Sequence, residues 1–206
     1  MGRSERRTIG ASDNGAVVAM ARARNNGRYN GRGRDWETPP EVFGPLDERY
    51  RFTLDPCASS ATKKCARHFD EEANGLLQSW RGERVFMNPP YGREVYAWTR
   101  KARVEVAEGG AELVVGLLPA STDLAWWHED VIGCCAGGAK PSECRGLPEG
   151  QRPLTEVLQW YRGRVRFLTG GPYRASGFFP SVAVIWRSRN QVGGGGVLED
   201  ERLVAR

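Results

Sequence analysis

The segment VFMNPPYG, residues 85–92, combines residue types that can hold an amino group in place. Proline fixes φ and has no backbone donor, so Pro89 and Pro90 form a stiff turn whose carbonyl groups accept hydrogen bonds without competing N–H groups. Asn88 adds a side-chain amide oxygen, and Tyr91 adds a flat aromatic face. The sequence predicts that Asn88, Pro89, Pro90 and Tyr91 are catalytic, although a plain polar turn fits the same letters.

Reaction at an exocyclic amino group of a purine is one chemistry that suits this turn, although the motif itself does not name the amino group. The lone pair of such an amine is delocalised into the ring, so the nitrogen is a weak nucleophile. Two acceptors, the Asn88 amide oxygen and the Pro89 carbonyl, would take both amino hydrogens and favour a pyramidal nitrogen. The ring of Tyr91 would stack on the base.

Alternating strands and helices place this turn in an α/β fold. Apolar runs predict four strands, at residues 51–55, 85–87, 112–118 and 180–186. A helix is predicted over residues 93–108, with Thr99 and Glu105 on its polar face, and the pair Gly109 and Gly110 ends it. A strand, turn, helix and strand in succession form a crossover unit, which predicts a mostly parallel twisted sheet with helices on both faces. Ligands bind such sheets at the carboxyl ends of the strands.

Basic residues are concentrated at the start of the chain. The 206 residues carry a net charge of +5, but residues 1–34 contain eight arginines and two acidic residues, so this arm is +6 and the remainder is −1. Such an arm suits contact with nucleic-acid phosphates, with Arg28, Arg32 and Arg34 as candidates. A disordered solubilising tail or a mistaken start site fits the same composition.

Glycine-rich segments divide the chain into three parts. Residues 1–34 are predicted to be a disordered arm and residues 35–190 a single domain. Residues 191–206 are a joint with four consecutive glycines and a charged tail. Within the domain, residues 133–152 form an inserted loop that is longer than most connections.

Two further segments carry candidate nucleic-acid contacts. Lys140 and Arg145 lie in the inserted loop, and long loops on such a scaffold often carry function. Arg164 lies in WYRGRVRFL, which has the pattern of a hairpin with arginines at alternating positions. A solvated strand face accounts for Arg164 equally well.

Cysteine usage and hydropathy set the expected compartment. The five cysteines show no regular spacing, and the chain has neither an amino-terminal apolar segment nor an apolar run of membrane length. These features favour a soluble cytoplasmic protein with reduced thiols. Cys134, Cys135 and Cys144 follow His128 at spacings that fit no usual zinc site, so no metal is predicted.

Four segments together resemble one known family. DWETPPEVF, LDPCAS, NGLLQSW and NPPYG are similar to segments of the phage-type DNA N6-adenine methyltransferases, the Dam-like family of class I S-adenosylmethionine-dependent amino-methyltransferases. The resemblance covers about residues 35–186 apart from the inserted loop. It implies a Rossmann-like fold and methyl transfer from S-adenosylmethionine to N6 of adenine in DNA, by direct displacement on a base rotated out of the duplex. For a phage-encoded enzyme, it implies action in the host cytoplasm.

The resemblance also implies a set of cofactor-binding residues. They are Trp36, Thr38 and Pro39 before the first helix, Asp55, Pro56, Cys57, Ala58 and Ser59 after the first strand, and Asp70 and Asn74 in HFDEEANGL, where the family's own second strand ends. The family's loop after the first strand has two glycines that are Ser59 and Ala61 here, so a different loop path is expected.

Structural roles fit several of these residues as well. Trp36 can belong to the first helix with Thr38 as its cap and Pro39 as its first residue. Asp70 can be a solvated acid, and Asn74 can form a turn with Gly75.

Other functions fit parts of the sequence. A similar turn serves enzymes that methylate a protein glutamine amide, and the basic arm suits RNA as well as DNA. A catalytically inactive DNA-binding protein fits the missing glycines. A cytosine C5 mechanism with a Cys57 nucleophile does not fit, because the ENV-like segment that it needs is absent from the sequence.

Overall fold

The computed structural model describes residues 36–132, 154–169 and 174–188. Within these ranges the chain forms two α-helices, one π-helix and eight strands. The helices are α1 (Pro40–Tyr50), α2 (Val95–Ala107) and the π-helix (Trp127–Ile132). The strands are β1 (Leu54–Asp55), β2 (Arg67–His68), β3 (Arg84–Met87), β4 (Leu113–Pro119), β5 (Leu154–Trp160), β6 (Arg166–Leu168), β7 (Arg174–Ser176) and β8 (Ser181–Arg187).

Six strands form one mixed sheet in the order β2-β1-β3-β4-β8-β5. Strands β2, β1, β3 and β4 are parallel to one another, whereas β8 is antiparallel to both β4 and β5. The predicted α/β class is confirmed, and the reversed β8 makes the sheet mixed. The edge at which β1, β3 and β4 end is called the carboxyl edge below.

Apolar side chains cover both faces of this sheet because successive strand residues point in opposite directions. Val114 and Leu118 of β4 pack with α2 and the π-helix on one face. Val115 and Leu117 pack with α1 on the other face. The prediction of helices on both faces is thus met by one α-helix on each.

The predicted polar face of α2 is wrong at Thr99. This residue is fully buried, and its hydroxyl donates to Oδ2 of Asp130 in the π-helix at 3.1 Å. Asp130 Oδ1 accepts a hydrogen bond from Arg103 at 2.8 Å. Burial raises the pKa of Asp130 to about 6 although the Arg103 charge opposes the rise. The polar residues of α2 therefore fix the π-helix against it.

Two predicted strand assignments need correction. The strand predicted at residues 51–55 is limited to the two residues of β1. WYRGRVRFL does not form a hairpin with itself: Trp160 ends β5, which pairs with β8. Residues 166–168 pair instead with residues 174–176 as the hairpin β6–β7. The true partner lies beyond the segment, so the local pattern suggested the wrong pairing.

Several predicted features lie outside the described residues, namely the arm 1–34, the inserted loop 133–152 and the tail 191–206. No helix in the described part of the chain is both long enough and apolar enough to cross a membrane. Within the same ranges, no group of three or more His, Cys, Asp or Glu side chains is placed to hold a metal ion.

Candidate active site

The predicted catalytic and cofactor residues meet at the carboxyl edge. β1 ends at Asp55, which begins the loop of residues 55–64, called the first loop below. β3 is the neighbour of β1 and ends directly before Asn88. The N–H of Ala120, just beyond β4, donates to the Pro180 carbonyl at 2.8 Å, which brings the start of β8 to the same edge.

The Asn88 side chain has a fixed orientation. Its Nδ2 donates to the Trp36 carbonyl oxygen at 3.0 Å. The amide oxygen therefore points away from Trp36 and is the acceptor that this side chain offers. Asn88 is half-buried and Pro89 is buried, whereas Pro90 and Tyr91 are half-buried. The stiff turn predicted from the two prolines thus begins with an oriented amide.

Residues 36–38, called the N-terminal segment, hold the carbonyl that binds Asn88. The backbone of Glu37 pairs with Leu168 of β6 through two hydrogen bonds of 3.0 Å. Thr38 is 2% exposed, and Pro39 is buried. Helix α1 begins at Pro40 with Pro39 as an N-cap that makes no side-chain hydrogen bond, so the alternative with Thr38 as cap is wrong by one residue.

Tyr91 is partly buried and packs against the apolar side chains that cover both faces of the sheet. Its hydroxyl donates to the Leu117 carbonyl at 3.4 Å. Burial raises the pKa of Tyr91 above its ordinary value, so the hydroxyl remains a donor at neutral pH. The ring is therefore held over the end of β4 and keeps part of its surface exposed.

Tyr91 belongs to an aromatic cluster that also contains Trp36, Phe167 and Phe178. The Phe167 ring centre lies 6.3 Å from Tyr91 and 5.2 Å from Trp36. Trp36 lies 5.5 Å from Phe178, whose side chain is 76% exposed. Arg164 donates to the carbonyl groups of Gly177 and Phe178, so this predicted phosphate contact supports the Phe178 turn in the structure.

Asp55 organises the first loop through its carboxylate. Oδ2 accepts the backbone N–H of Lys64 at 3.1 Å, and Oδ1 accepts that of Cys57 at 3.4 Å. Ser59 and Thr62 add further bonds inside the loop, including Ser59 N–H to Thr62 Oγ1 at 3.0 Å. Pro56 is buried, and Ala58 is half-buried with its N–H bound to the Phe69 carbonyl at 3.2 Å. Both carboxylate oxygens of Asp55 thus accept hydrogen bonds from the backbone of the first loop.

Burial raises the pKa of Asp55 from 3.8 to about 6, against the opposing effect of its two backbone hydrogen bonds. Between pH 3.8 and about 6, Asp55 holds a proton in the folded protein that it has released in the unfolded chain. Stability from this group therefore falls as the pH rises through that window. We expect Asp55→Asn to gain about 2 kcal/mol of stability relative to the unmutated protein when the pH is raised from about 4.5 to about 8. Urea unfolding of both proteins at both pH values measures this change in stability. A stability difference between the two proteins that is the same at both pH values would contradict the raised pKa of Asp55.

Cys57 connects the first loop with the turn of residues 88–91. Burial raises the pKa of its thiol well above the ordinary value, the Asp55 carboxylate adds to the rise, and a hydrogen bond from the Asn88 backbone opposes it. The thiol therefore stays protonated at neutral pH. A neutral thiol agrees with a packing role and opposes use of Cys57 as a nucleophile.

Asp70 and Asn74 form the turn that follows β2. Asp70 is half-buried, and its Oδ1 accepts the Ala73 N–H at 2.9 Å. Asn74 has a φ of 51°, and its Oδ1 accepts the Leu76 N–H at 3.3 Å. The turn expected from Asn74 and Gly75 is therefore present. Gly75 packs so closely on Pro56 that a Cβ added there would lie 1.9 Å from the Pro56 carbonyl oxygen.

Comparison with known proteins identifies the family. Residues 29–195 match the family described as DNA N-6-adenine-methyltransferase (Dam). The chain belongs to this Dam family. Over 97 residues it is 35% identical to a protein of Escherichia phage T1 named DNA N-6-adenine-methyltransferase. That match covers 46% of this chain and 39% of the phage T1 protein, so it spans about two fifths of that relative. No solved structure matches the chain.

The Dam-family match confirms the resemblance drawn from the four sequence segments, all of which lie within residues 29–195. Five predicted nucleic-acid contacts of this Dam-family protein lie outside the described residues. They are Arg28, Arg32, Arg34, Lys140 and Arg145.

Two features of this Dam-family site were not predicted from the sequence. The first is Phe178, which lies with Phe179 between Gly177 and Pro180. Two adjacent aromatic residues in a glycine and proline turn before a strand are a signal that could have indicated an exposed ring. The second is an ion pair of Glu37 with Lys64 at 2.6 Å, which no local sequence pattern indicates.

Proposed function

We propose that this protein transfers the methyl group of S-adenosylmethionine to the N6 nitrogen of adenine in DNA. One observation carries the proposal: the Asn88 amide is oriented at the carboxyl edge by its bond to Trp36. An acceptor held in a set position is what binding of an amino group in a transition state requires. The Dam family, which is described by that reaction, supports the same substrate.

The strand order supports a Rossmann-like class I methyltransferase fold. From β1 the chain continues to β2 on one side of the sheet and then to β3 on the other side. The crevice between β1 and β3 is therefore a topological switch point, and ligands of open α/β sheets bind at such crevices. The first loop and Asn88 lie on its two sides.

The protein's part in the reaction is to hold and orient the target amine. The adenine must leave the duplex to reach this edge, at a cost of a few kcal/mol. Asn88 Oδ1 and the Pro89 carbonyl accept the two amino hydrogens, and Tyr91 contacts the base. Bound S-adenosylmethionine would supply the methyl carbon to N6 and keep the carbon–sulfur bonding electrons, and the surplus proton on N6 would leave to solvent.

The residues at the carboxyl edge fit S-adenosylmethionine, which when bound supplies a methyl group on a positively charged sulfur. Trp36 presents an aromatic ring, which suits a neighbouring cation. Asp70 offers a carboxylate oxygen beside the one that holds its own turn. Ser59 and Ala61 do not have positive φ, which among described non-glycine residues occurs at Arg51 and Asn74. The missing glycines therefore place no other residue type at positive φ in the first loop.

Phe178 is expected to contact the DNA substrate. A ring that is 76% exposed beside Trp36 can stack on a base, and such a stack contributes about 1–3 kcal/mol. We expect Phe178→Ala to raise the KM for DNA about tenfold or more, with the affinity for the methyl donor unchanged. Leu77→Ala is the control, because Leu77 is 46% exposed beside the C-terminal end of α2. Equal DNA KM values for the two variants would contradict the contact.

The substrate class is tested by offering DNA, RNA and a glutamine-containing protein together with methyl-labelled S-adenosylmethionine. We expect the label in DNA. Label in RNA or in protein instead would assign the turn to one of those substrates. A folded protein that transfers no label and binds no donor by calorimetry would be an inactive DNA-binding member of the family.

A further inference from the structure

The Glu37–Lys64 ion pair joins two segments of the carboxyl edge that lie 27 residues apart in sequence. Lys64 Nζ lies 2.6 Å from Glu37 Oε1, and the two side chains are only 11% and 27% exposed. A pair with this little exposure is less screened by solvent than a surface pair, and loss of one partner leaves the other charge partly buried. The pair can therefore hold Glu37 and Lys64 in a fixed position relative to each other.

On one side, the pair acts on the residue that orients Asn88. Glu37 directly follows Trp36, whose carbonyl oxygen accepts the Asn88 Nδ2 hydrogen at 3.0 Å. The backbone of Glu37 is bound to Leu168 of β6, but those two bonds connect it only to the hairpin. The side chain of Glu37 supplies a second attachment, which reaches across to the first loop.

On the other side, the pair acts on the end of the first loop. The N–H of Lys64 donates to Oδ2 of the buried Asp55 at 3.1 Å, so the backbone of Lys64 is fixed relative to β1. The ion pair thus completes a path from Asp55 through Lys64 and Glu37 to the carbonyl that holds Asn88. The path links the loop assigned to the methyl donor with the turn assigned to the amine.

We propose that Glu37 and Lys64 are positioning residues, which set the orientation of the Asn88 amide relative to the first loop. The inference rests on the proposed function for its effect on catalysis, but its structural part does not. Neither side chain needs to touch the base or the donor. Their effect is exerted on the Trp36 carbonyl and through it on the Asn88 oxygen.

The first readout is the side-chain amide signal of Asn88 in 15N-labelled protein without donor or DNA, assigned by its loss in Asn88→Ala. In Lys64→Met, which keeps most of the aliphatic stem, we expect this signal to move toward that of a free amide and its hydrogens to exchange faster with water. Glu37→Gln, which keeps the shape of the side chain, should give the same change. An unchanged Asn88 signal in both variants, with intact folds by thermal melting, would overturn the proposal.

The second readout is the kinetics of methyl transfer. We expect about a tenfold lower kcat in Lys64→Met and Glu37→Gln with the KM for DNA within about twofold, because orientation rather than substrate contact is lost. The double variant Glu37→Lys with Lys64→Glu should recover part of both readouts. A folded double variant that recovers neither would contradict a role for the pair itself.

Lys101→Met is the matched control. It removes an ion pair of similar length and burial from α2, in which Lys101 lies 2.5 Å from Glu105 and the two side chains are 7% and 12% exposed. We expect it to leave both the Asn88 signal and kcat unchanged, and an equal loss in this variant would show a general loss of stability. If the unmutated protein methylates no DNA, the proposed function fails, while the Asn88 signal still decides whether the pair orients the amide.

Discussion

Asn88→Ala is expected to lower kcat for methyl transfer to DNA at least about a hundredfold while it leaves the affinity for S-adenosylmethionine within about twofold. Alanine lacks the acceptor for one amino hydrogen, and it loses the bond to the Trp36 carbonyl that orients the amide. Both losses act on the amine in the transition state. Neither removes a group assigned to the methyl donor, so donor binding should remain.

Single-turnover kinetics and calorimetry on the same preparation measure these two effects separately. A variant within about threefold of the unmutated rate would show that the Asn88 oxygen does not hold the amine. A variant that fails to bind the donor would instead place Asn88 in the donor site.

Gly75→Ala is expected to have the largest structural effect. An added Cβ would lie 1.9 Å from the carbonyl oxygen and 2.9 Å from the carbonyl carbon of Pro56, so backbone must move. We expect a loss of about 3 kcal/mol in the free energy of unfolding, since overpacking at a rigid contact costs that much. The shift separates the first loop from the Asp70 turn, so the affinity for the donor should fall at least about tenfold.

The matched control is Gly44→Ala in α1. An added Cβ at Gly44 meets no atom within 4 Å. Alanine also favours a helix over glycine, so this variant should gain up to about 1 kcal/mol. Urea unfolding and calorimetric titration with S-adenosylmethionine give both comparisons. Equal stability of the two variants would contradict close packing of Gly75 on Pro56.

The long apolar strands were predictable because each has its own local signal. The runs at 112–118 and 180–186 correspond closely to β4 and β8, buried nearly throughout in the sheet. β5 was not predicted, since LTEVLQW mixes polar and apolar residues and contains a register shift between Val157 and Gln159. β1 and β2 have two residues each, so their pairing depends on neighbours that no local pattern reveals.

The candidate site divides in the same way. The position of Asn88 and Tyr91 at the carboxyl edge was predictable because the stiff turn, the preceding strand and the crossover are contiguous in sequence. The Asn88 orientation was not, since the residue that fixes it lies 52 positions away. Phe178 likewise approaches Trp36 only through the fold. Candidate residues that are contiguous in sequence can be predicted from the sequence, whereas contacts between distant segments require the structure.

The most direct test of the central claim is nucleoside analysis of unmethylated DNA after incubation with the protein and labelled S-adenosylmethionine. The account predicts that the label appears in N6-methyladenine, and that Asn88→Ala abolishes most of it. Label in a methylated cytosine, or none at all from a folded protein that binds the donor, would contradict the claim that the Asn88 turn presents the adenine amine for methylation.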